Sequence, residues 1–187
     1  RKAYWQEGLF EMVGAQWKME EYVIGYKPTS KEKNDIGFNY LVGNKWPLKG
    51  WPMEYWKKLE KQIGPKYSVS WQRGRDNMEE YFEWIKSCRV LVTNDSFGMH
   101  IAIALKKKFV AIFGPTHCQE NCLYDRGVAF YPKDFSCDLF PCRVDKCAHF
   151  KNGCTTTTSP AMIYEAVEGM LMPVQLSERK RRKDGHN

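Results

Sequence analysis

The chain has 187 residues, 43% of them hydrophobic, and a formal net charge of +7. This length suits a single domain with a sizeable core. No run of about 20 apolar residues occurs, which excludes a membrane-spanning helix.

The positive charge by itself would suit a nucleic-acid-binding protein. However, one basic run, residues 179–183, lies in a polar terminal stretch, and we expect residues 173–187 to form a disordered tail. A second run, residues 106–108, ends a predicted helix, where cations are favoured by the helix dipole. We therefore predict no specific nucleic-acid binding. A basic surface also suits a protein that handles anionic substrates or contacts anionic membrane headgroups.

The first third of the chain contains two predicted helices and two predicted strands. Apolar residues at helical spacing predict a helix over residues 4–13, which Gly14 ends. Short apolar runs predict strands at 22–26 and 36–42. An amphipathic helix is predicted over 53–63, directly after Pro52.

In the remainder of the chain, strands and helices alternate. A strand is predicted at 67–71, followed by a helix that Asn77 caps and that runs to residue 87. Further strands are predicted at 90–92, 109–113 and 128–131, and a last helix at 161–171. Strands that alternate with helices of this length predict an α/β fold, a Rossmann-like parallel sheet with helices on both faces.

The most informative stretch is VLVTNDSFGMHIAIALKKKFVAIFGPT, residues 90–116. A buried strand leads through a polar turn with Asp95 and Ser96 into a helix, which is the layout of a ligand site in a parallel sheet. The unpaired N–H groups and the dipole at the start of that helix favour a phosphate. Asp95 would repel such a phosphate, so we expect it to accept bonds from sugar hydroxyls or to cap the helix.

Three motifs in order carry a resemblance to a known family. They are NDSFGMHIA (residues 94–102) with FGPT (113–116) behind it, KGWP (49–52), and the cysteine-containing segment 135–154. Together they resemble the ADP-heptose:lipopolysaccharide heptosyltransferases, glycosyltransferase family 9, over roughly residues 36–171. The match is to the C-terminal, donor-binding half of a GT-B glycosyltransferase.

The resemblance implies an inverting transfer of a heptose or related sugar from an ADP-linked donor. The acceptor would be lipid A-core, another glycan or a protein, and no cofactor would be required for transfer. The family's general base lies on the N-terminal, acceptor-side domain, which this chain does not match. The resemblance also implies a cytoplasmic enzyme with peripheral contact at the inner face of the bacterial inner membrane.

The resemblance also assigns roles to individual residues of the donor site. Lys49 would contact the donor phosphates, Asp95 the sugar hydroxyls, and the backbone at Ser96 the diphosphate. His100 would belong to the donor site without carrying a proton. The full predicted set is Lys49, Asp95, Ser96, Phe97, Gly98 and His100. Without the resemblance, Lys49 would be a solvated lysine between packing tryptophans, and Asp95 and Ser96 ordinary turn or cap residues.

Two departures from the family pattern leave the ligand open. Phe97 stands where the family has a glycine or leucine, so that its ring could fill part of the sugar pocket. The unit between residues 64 and 76 is shortened, and no ribose-binding glutamate can be assigned in it. Neither the sugar nor the nucleotide follows from the sequence alone.

Cysteines crowd the segment before the last helix: Cys137, Cys142, Cys147 and Cys154. Their spacing is not that of the tight C-x-x-C pairs of common zinc modules. A structural zinc or iron held by these residues, a reversible disulfide, and free thiols all remain open at this point.

We divide the chain into an N-terminal helix and connecting segment (1–35), a nucleotide-sugar-binding domain (36–172) and the basic tail (173–187). Two other functions compete with glycosyl transfer. One is a module that binds nucleotide-sugar without catalysis. The other is a basic nucleic-acid-binding protein with a metal knuckle.

Overall fold

The structure is a computed structural model, and it describes residues 4–74, 76–133, 137–142 and 144–172. The predicted tail, the basic run within it and Phe135 at the start of the cysteine loop therefore lie outside the described residues. In the described part, no helix combines the length and the apolar character that a membrane crossing needs.

Five α-helices and five strands make up the regular structure of the described residues. The helices are α1 (Trp5–Met12), α2 (Met53–Ile63), α3 (Met78–Ser87), α4 (Phe97–Ala104) and α5 (Pro160–Leu171). The strands are β1 (Asn34–Asn39), β2 (Val69–Trp71), β3 (Cys88–Asn94), β4 (Lys108–Ile112) and β5 (Gly127–Phe130).

All five strands form one parallel sheet in the order β2-β1-β3-β4-β5. β1 lies between β2 and β3, with Ile36 opposite Val69 on one side and Val90 on the other. The chain therefore places β2 on one side of β1 and then, after α3, places β3 on the other side of β1. The strand order changes direction at this point. This arrangement confirms the predicted α/β fold with a Rossmann-like parallel sheet.

Each face of the sheet carries its own apolar core. On one face α2 and α5 pack through Trp56, Leu59 and Val167 against the side chains of β1, β3 and β4. On the other face α3 and α4 pack through Ile85 and Met99 against the alternate side chains of β3 and β4. Helices on both faces explain why the central strands are apolar throughout instead of alternating.

Local capping fixes where two of the helices begin. The Asn77 side chain accepts hydrogen bonds from the backbone N–H groups of Glu79 and Glu80 at 3.0 and 3.2 Å, which confirms the predicted cap of α3. The Ser159 hydroxyl accepts one from Met162 N, and Pro160 occupies the first turn of α5.

The strand predicted at residues 22–26 is wrong, since this segment pairs with no strand of the sheet. Side chains on the helices contact residues 22–26 and the residues that follow. The Glu83 carboxylate on α3 accepts hydrogen bonds from Tyr26 Oη and from the N–H groups of Thr29 and Ser30. The bonds from Ser30 and Thr29 lower the pKa of Glu83 to about 2. Apolar alternation here reflects packing onto α3 and α4 instead of a sheet position.

The second strand prediction, 36–42, is correct in kind but shifted. β1 begins at Asn34 and ends at Asn39. Its last paired residue, Asn39, lies opposite Thr93. The Asn39 side chain belongs to the polar network described in the next subsection.

Candidate functional site

The carboxyl ends of β1 and β3 meet in a buried hydrogen-bond network centred on Asn39. Its amide nitrogen donates to Thr93 Oγ1 at 2.7 Å and to Ser96 Oγ at 2.9 Å. Tyr81 Oη on α3 donates to the amide oxygen of Asn39 at 2.6 Å. The network fixes Ser96, the residue before α4, relative to the sheet.

The first turn of α4 faces the space beyond these strand ends. Ser96 occupies the N-cap position, yet its side chain caps no backbone N–H of this helix. Gly98 is buried in the second position, and a Cβ there would overlap Tyr81 Oη and the Asn39 amide. Helix N–H groups left without a side-chain cap, together with the helix dipole, create a position that favours an anion.

A charged pair lies beside this helix terminus. Lys49 Nζ and Asp95 Oδ2 are 2.7 Å apart, and their side chains are 21% and 8% exposed. Thr116 Oγ1 donates to the same carboxylate oxygen at 2.6 Å. The structure thus places Lys49 and Asp95 in direct contact, whereas the sequence predicted for each a separate contact with the ligand. The Asp95 carboxylate binds Lys49 and Thr116 and does not cap α4.

The loop that carries Lys49 is held from two sides. Trp51 N donates to Asn94 Oδ1 at 3.0 Å, which joins the loop to the end of β3. The indole of Trp51 donates to Thr158 O at 2.9 Å, which joins it to the segment before α5. Lys49 itself ends a 3-10 turn and lies over the ring of Trp46, with its Nζ 5.3 Å from the ring centre.

His100 lies in the first turns of α4, under the N-terminal segment. Its ring stacks on Tyr22, with centroids 5.7 Å apart. Burial lowers the pKa of His100, and this effect outweighs the charge of Asp95, which acts in the opposite direction. The assignment of His100 to the donor site stays a prediction.

The described cysteines of the loop are free thiols near one another. Burial, followed by smaller contributions that include the neighbouring Cys142, Cys147 and Cys137, raises the pKa of Cys154 to about 11. As placed, however, no three His, Cys, Asp or Glu side chains of the described residues are gathered closely enough to hold a metal ion.

Residues in and directly after the cysteine segment contact the loop that carries Lys49 and the FGPT motif. Thr155 Oγ1 donates to Gly50 O at 3.0 Å, and Cys142 N donates to Pro115 O at 3.0 Å. A Cβ at Gly114 would lie 2.5 Å from Thr155 Cγ2, so this close approach requires glycine.

Sequence reasoning missed three residues of the site: Asn39, Tyr81 and Thr116. Thr116 lies within the FGPT motif but received no role. Asn39 interrupts the apolar run of the strand predicted at 36–42, which was the available signal. Tyr81 gave no signal, because an aromatic residue on an amphipathic helix is usually a packing residue.

Comparison with known proteins gives concordant results. Residues 73–143 match the description Glycosyltransferase family 9 (heptosyltransferase). The chain is 44% identical over 46 residues to lipooligosaccharide heptosyltransferase 2 of Haemophilus influenzae, covering 25% of this chain and 13% of that protein. It is 29% identical over 126 residues to lipopolysaccharide heptosyltransferase 2 of Escherichia coli, covering 52% and 36%. These matches cover part of the chain, and over that part it is similar to glycosyltransferase family 9.

Solved structures agree with this similarity at the level of the fold. E. coli ADP-heptose lps heptosyltransferase II superposes with a TM-score of 0.58 at 19% identity, covering 76% of this chain and 47% of that one. The dodecameric iron-containing heptosyltransferase TibC, in complex with ADP-D-beta-D-heptose, superposes with a TM-score of 0.68 at 12% identity. That alignment covers 90% of this chain and 53% of TibC, so this chain spans about half of the length of these neighbours.

Proposed function

We propose that this chain is the donor-binding half of an inverting glycosyltransferase. It would take a heptose or related sugar from an ADP-linked donor and pass it to a lipopolysaccharide, another glycan or a protein. The observation that carries the proposal is the Lys49–Asp95 pair beside the uncapped start of α4, at the carboxyl ends of parallel strands. Open α/β sheets bind their ligands at this edge.

The arrangement supplies what breakage of a sugar–diphosphate bond requires. A diphosphate at the start of α4 would accept hydrogen bonds from the N–H groups of the first turn, with Lys49 beside it. As the anomeric C–O bond breaks, negative charge develops on the departing phosphate oxygen, and a fixed cation stabilises it there. This role needs no metal ion, since Lys49 and the helix terminus together oppose the charge.

The Asp95 carboxylate would serve the sugar. One of its oxygens already accepts from Thr116 and pairs with Lys49. The other oxygen is the natural acceptor for a sugar hydroxyl, while the pairing keeps the carboxylate from repelling the diphosphate. Phe97, Gly98 and His100 complete the proposed donor site around it.

The remaining chemistry belongs to residues outside this chain. An acceptor hydroxyl oxygen would form the new bond to the anomeric carbon from the face opposite the diphosphate, which inverts the configuration. Its proton would pass to a general base that we propose lies on an N-terminal domain.

Titration calorimetry with a panel of nucleotides and nucleotide-sugars tests the proposal. We expect ADP and ADP-heptose to bind, and the UDP- and GDP-linked sugars to bind more weakly. A folded chain that binds no member of the panel would contradict it. Salt-sensitive binding to nucleic acid in the same buffer would instead favour the basic nucleic-acid-binding alternative.

A module that binds nucleotide-sugar without transferring it is the second candidate. The observation in its favour is that the described groups of the site, Lys49, Asp95 and Thr116, are ones that bind a ligand. Binding without transfer, after addition of an N-terminal half from a family member, would support this candidate over the enzyme.

We propose a structural role for the cysteine loop. Its donor set of thiols suits zinc or iron, and TibC is described as iron-containing. Cys137, Cys142, Cys147 and Cys154 would be the ligands, and the loop would have to draw them together, since in the arrangement described above no three such side chains are close enough to hold an ion. A bound ion would fix the loop before α5.

Replacing Cys142 and Cys147 together with serine tests that role. We expect a lower melting temperature, because the loop is no longer held, while the affinity for ADP stays nearly unchanged. Differential scanning calorimetry and titration calorimetry measure the two quantities, and elemental analysis of the wild-type chain decides whether metal is bound. An unshifted melting temperature together with a metal content near zero would remove the structural role.

A further inference from the structure

The two sides of the α4 start differ in chemistry. On one side lie the charged and hydroxyl groups of Lys49, Asp95 and Thr116. On the other side lie aromatic rings, of which Phe97 is the outermost and is 42% exposed. A nucleotide-sugar whose diphosphate lies between them would extend its sugar in one direction and its nucleoside in the other.

The ring of Phe97 is held in place from behind. It stacks on Tyr81 with centroids 6.4 Å apart and planes at 19°, and Tyr81 in turn stacks on Trp84 at 5.9 Å and 18°. Tyr81 is 3% exposed. Its hydroxyl is bonded to Asn39, which also bonds Ser96. The exposed ring therefore lies against a side chain that is itself anchored to the residue before α4.

Gly98 makes this stack possible. Any side chain in its place would overlap both Tyr81 Oη and the Asn39 amide. Gly98 thus leaves room for Tyr81 beneath the start of α4, and the ring of Phe97 covers Tyr81. An apolar ring left open to solvent in this way is suited to a flat ligand group.

We propose that Phe97 is the platform on which the adenine of the nucleotide stacks, an inference that rests on the proposed donor site. A purine has a flat apolar face, which stacks on an aromatic side chain. Sugar hydroxyls, in contrast, need the acceptors on the Asp95 side. The ring would then add to the affinity for the nucleoside instead of obstructing the sugar.

Titration calorimetry on Phe97→Ala tests this assignment, with ADP and pyrophosphate as probes that do and do not carry the base. We expect the affinity for ADP to fall about tenfold and the affinity for pyrophosphate to stay unchanged. Phe97→Trp is expected to keep ADP affinity within about twofold of the wild type. Met162→Ala is the matched control, because Met162 is also 42% exposed but lies on α5, across the sheet.

Three outcomes would overturn the inference. They are an unchanged ADP affinity in Phe97→Ala, an equal loss for ADP and pyrophosphate, and a loss for ADP-heptose with none for ADP. The last would place the ring against the sugar. A wild-type chain that binds neither ADP nor pyrophosphate would instead count against the donor site itself, so the two failures are distinguishable.

Discussion

Replacement of Lys49 with alanine is expected to lower the affinity for ADP at least about tenfold. A charge-assisted contact of this kind contributes roughly 1.5–3 kcal/mol. The structure adds a second reason for a loss, because the Asp95 carboxylate, 8% exposed and normally 2.7 Å from Lys49 Nζ, would be left unpaired beside the diphosphate. Titration calorimetry on the folded variant measures the effect.

Two further variants separate those reasons. Lys49→Ala combined with Asp95→Asn removes the repelling carboxylate, and we expect it to bind ADP better than Lys49→Ala alone. Lys57→Ala removes an exposed cation from α2 and is expected to leave the affinity unchanged. If folded Lys49→Ala bound ADP as the wild type does, Lys49 would have no place in the site.

Replacement of Trp51 with alanine is expected to have the largest effect on stability. Trp51 is 4% exposed and packs edge-on against Tyr55 and Trp56, with ring centroids 5.5 and 5.1 Å away. Truncation of a buried tryptophan costs about 3–5 kcal/mol, so the free energy of unfolding measured in urea is expected to fall by that amount.

The smaller change Trp51→Phe keeps an aromatic ring but removes the hydrogen bond to Thr158 O, and we expect a smaller loss of stability. Trp5→Ala is the control: Trp5 is 60% exposed, and substitutions at such positions usually change stability by less than about 0.5 kcal/mol. Similar losses in Trp51→Ala and Trp5→Ala would refute the anchoring role of Trp51.

Much of the fold could be predicted because its elements are defined by local patterns. The helix predicted at residues 53–63 has those same bounds in the structure, since its amphipathic period and Pro52 mark both its face and its start. The cap of α3 followed from Asn77 alone. The strand predicted at 22–26 failed because a strand needs a neighbour, and a short apolar run does not show whether one is present.

Some residues of the candidate site stood out in the sequence, but their arrangement did not. Lys49 and Asp95 each stood out in a motif, yet their pairing depends on how the loop after β1 lies against the end of β3. Asn39 illustrates the same limit. Asparagine is common in turns, so one near the end of a strand does not stand out. Asn39 becomes the centre of a hydrogen-bond network only because β1, β3 and α3 lie next to one another.

The position of β1 in the sheet also has a consequence for how the domain folds. Ile36 pairs with Val90, so β1 gains this neighbour only after the chain has continued through α2, β2 and α3. Parallel pairing over such sequence separations must overcome loop-closure entropy before contacts stabilise it, and it is slow compared with helix formation. We therefore expect closure of the sheet between β1 and β3, the two strands whose ends carry the candidate site, to limit the rate of folding.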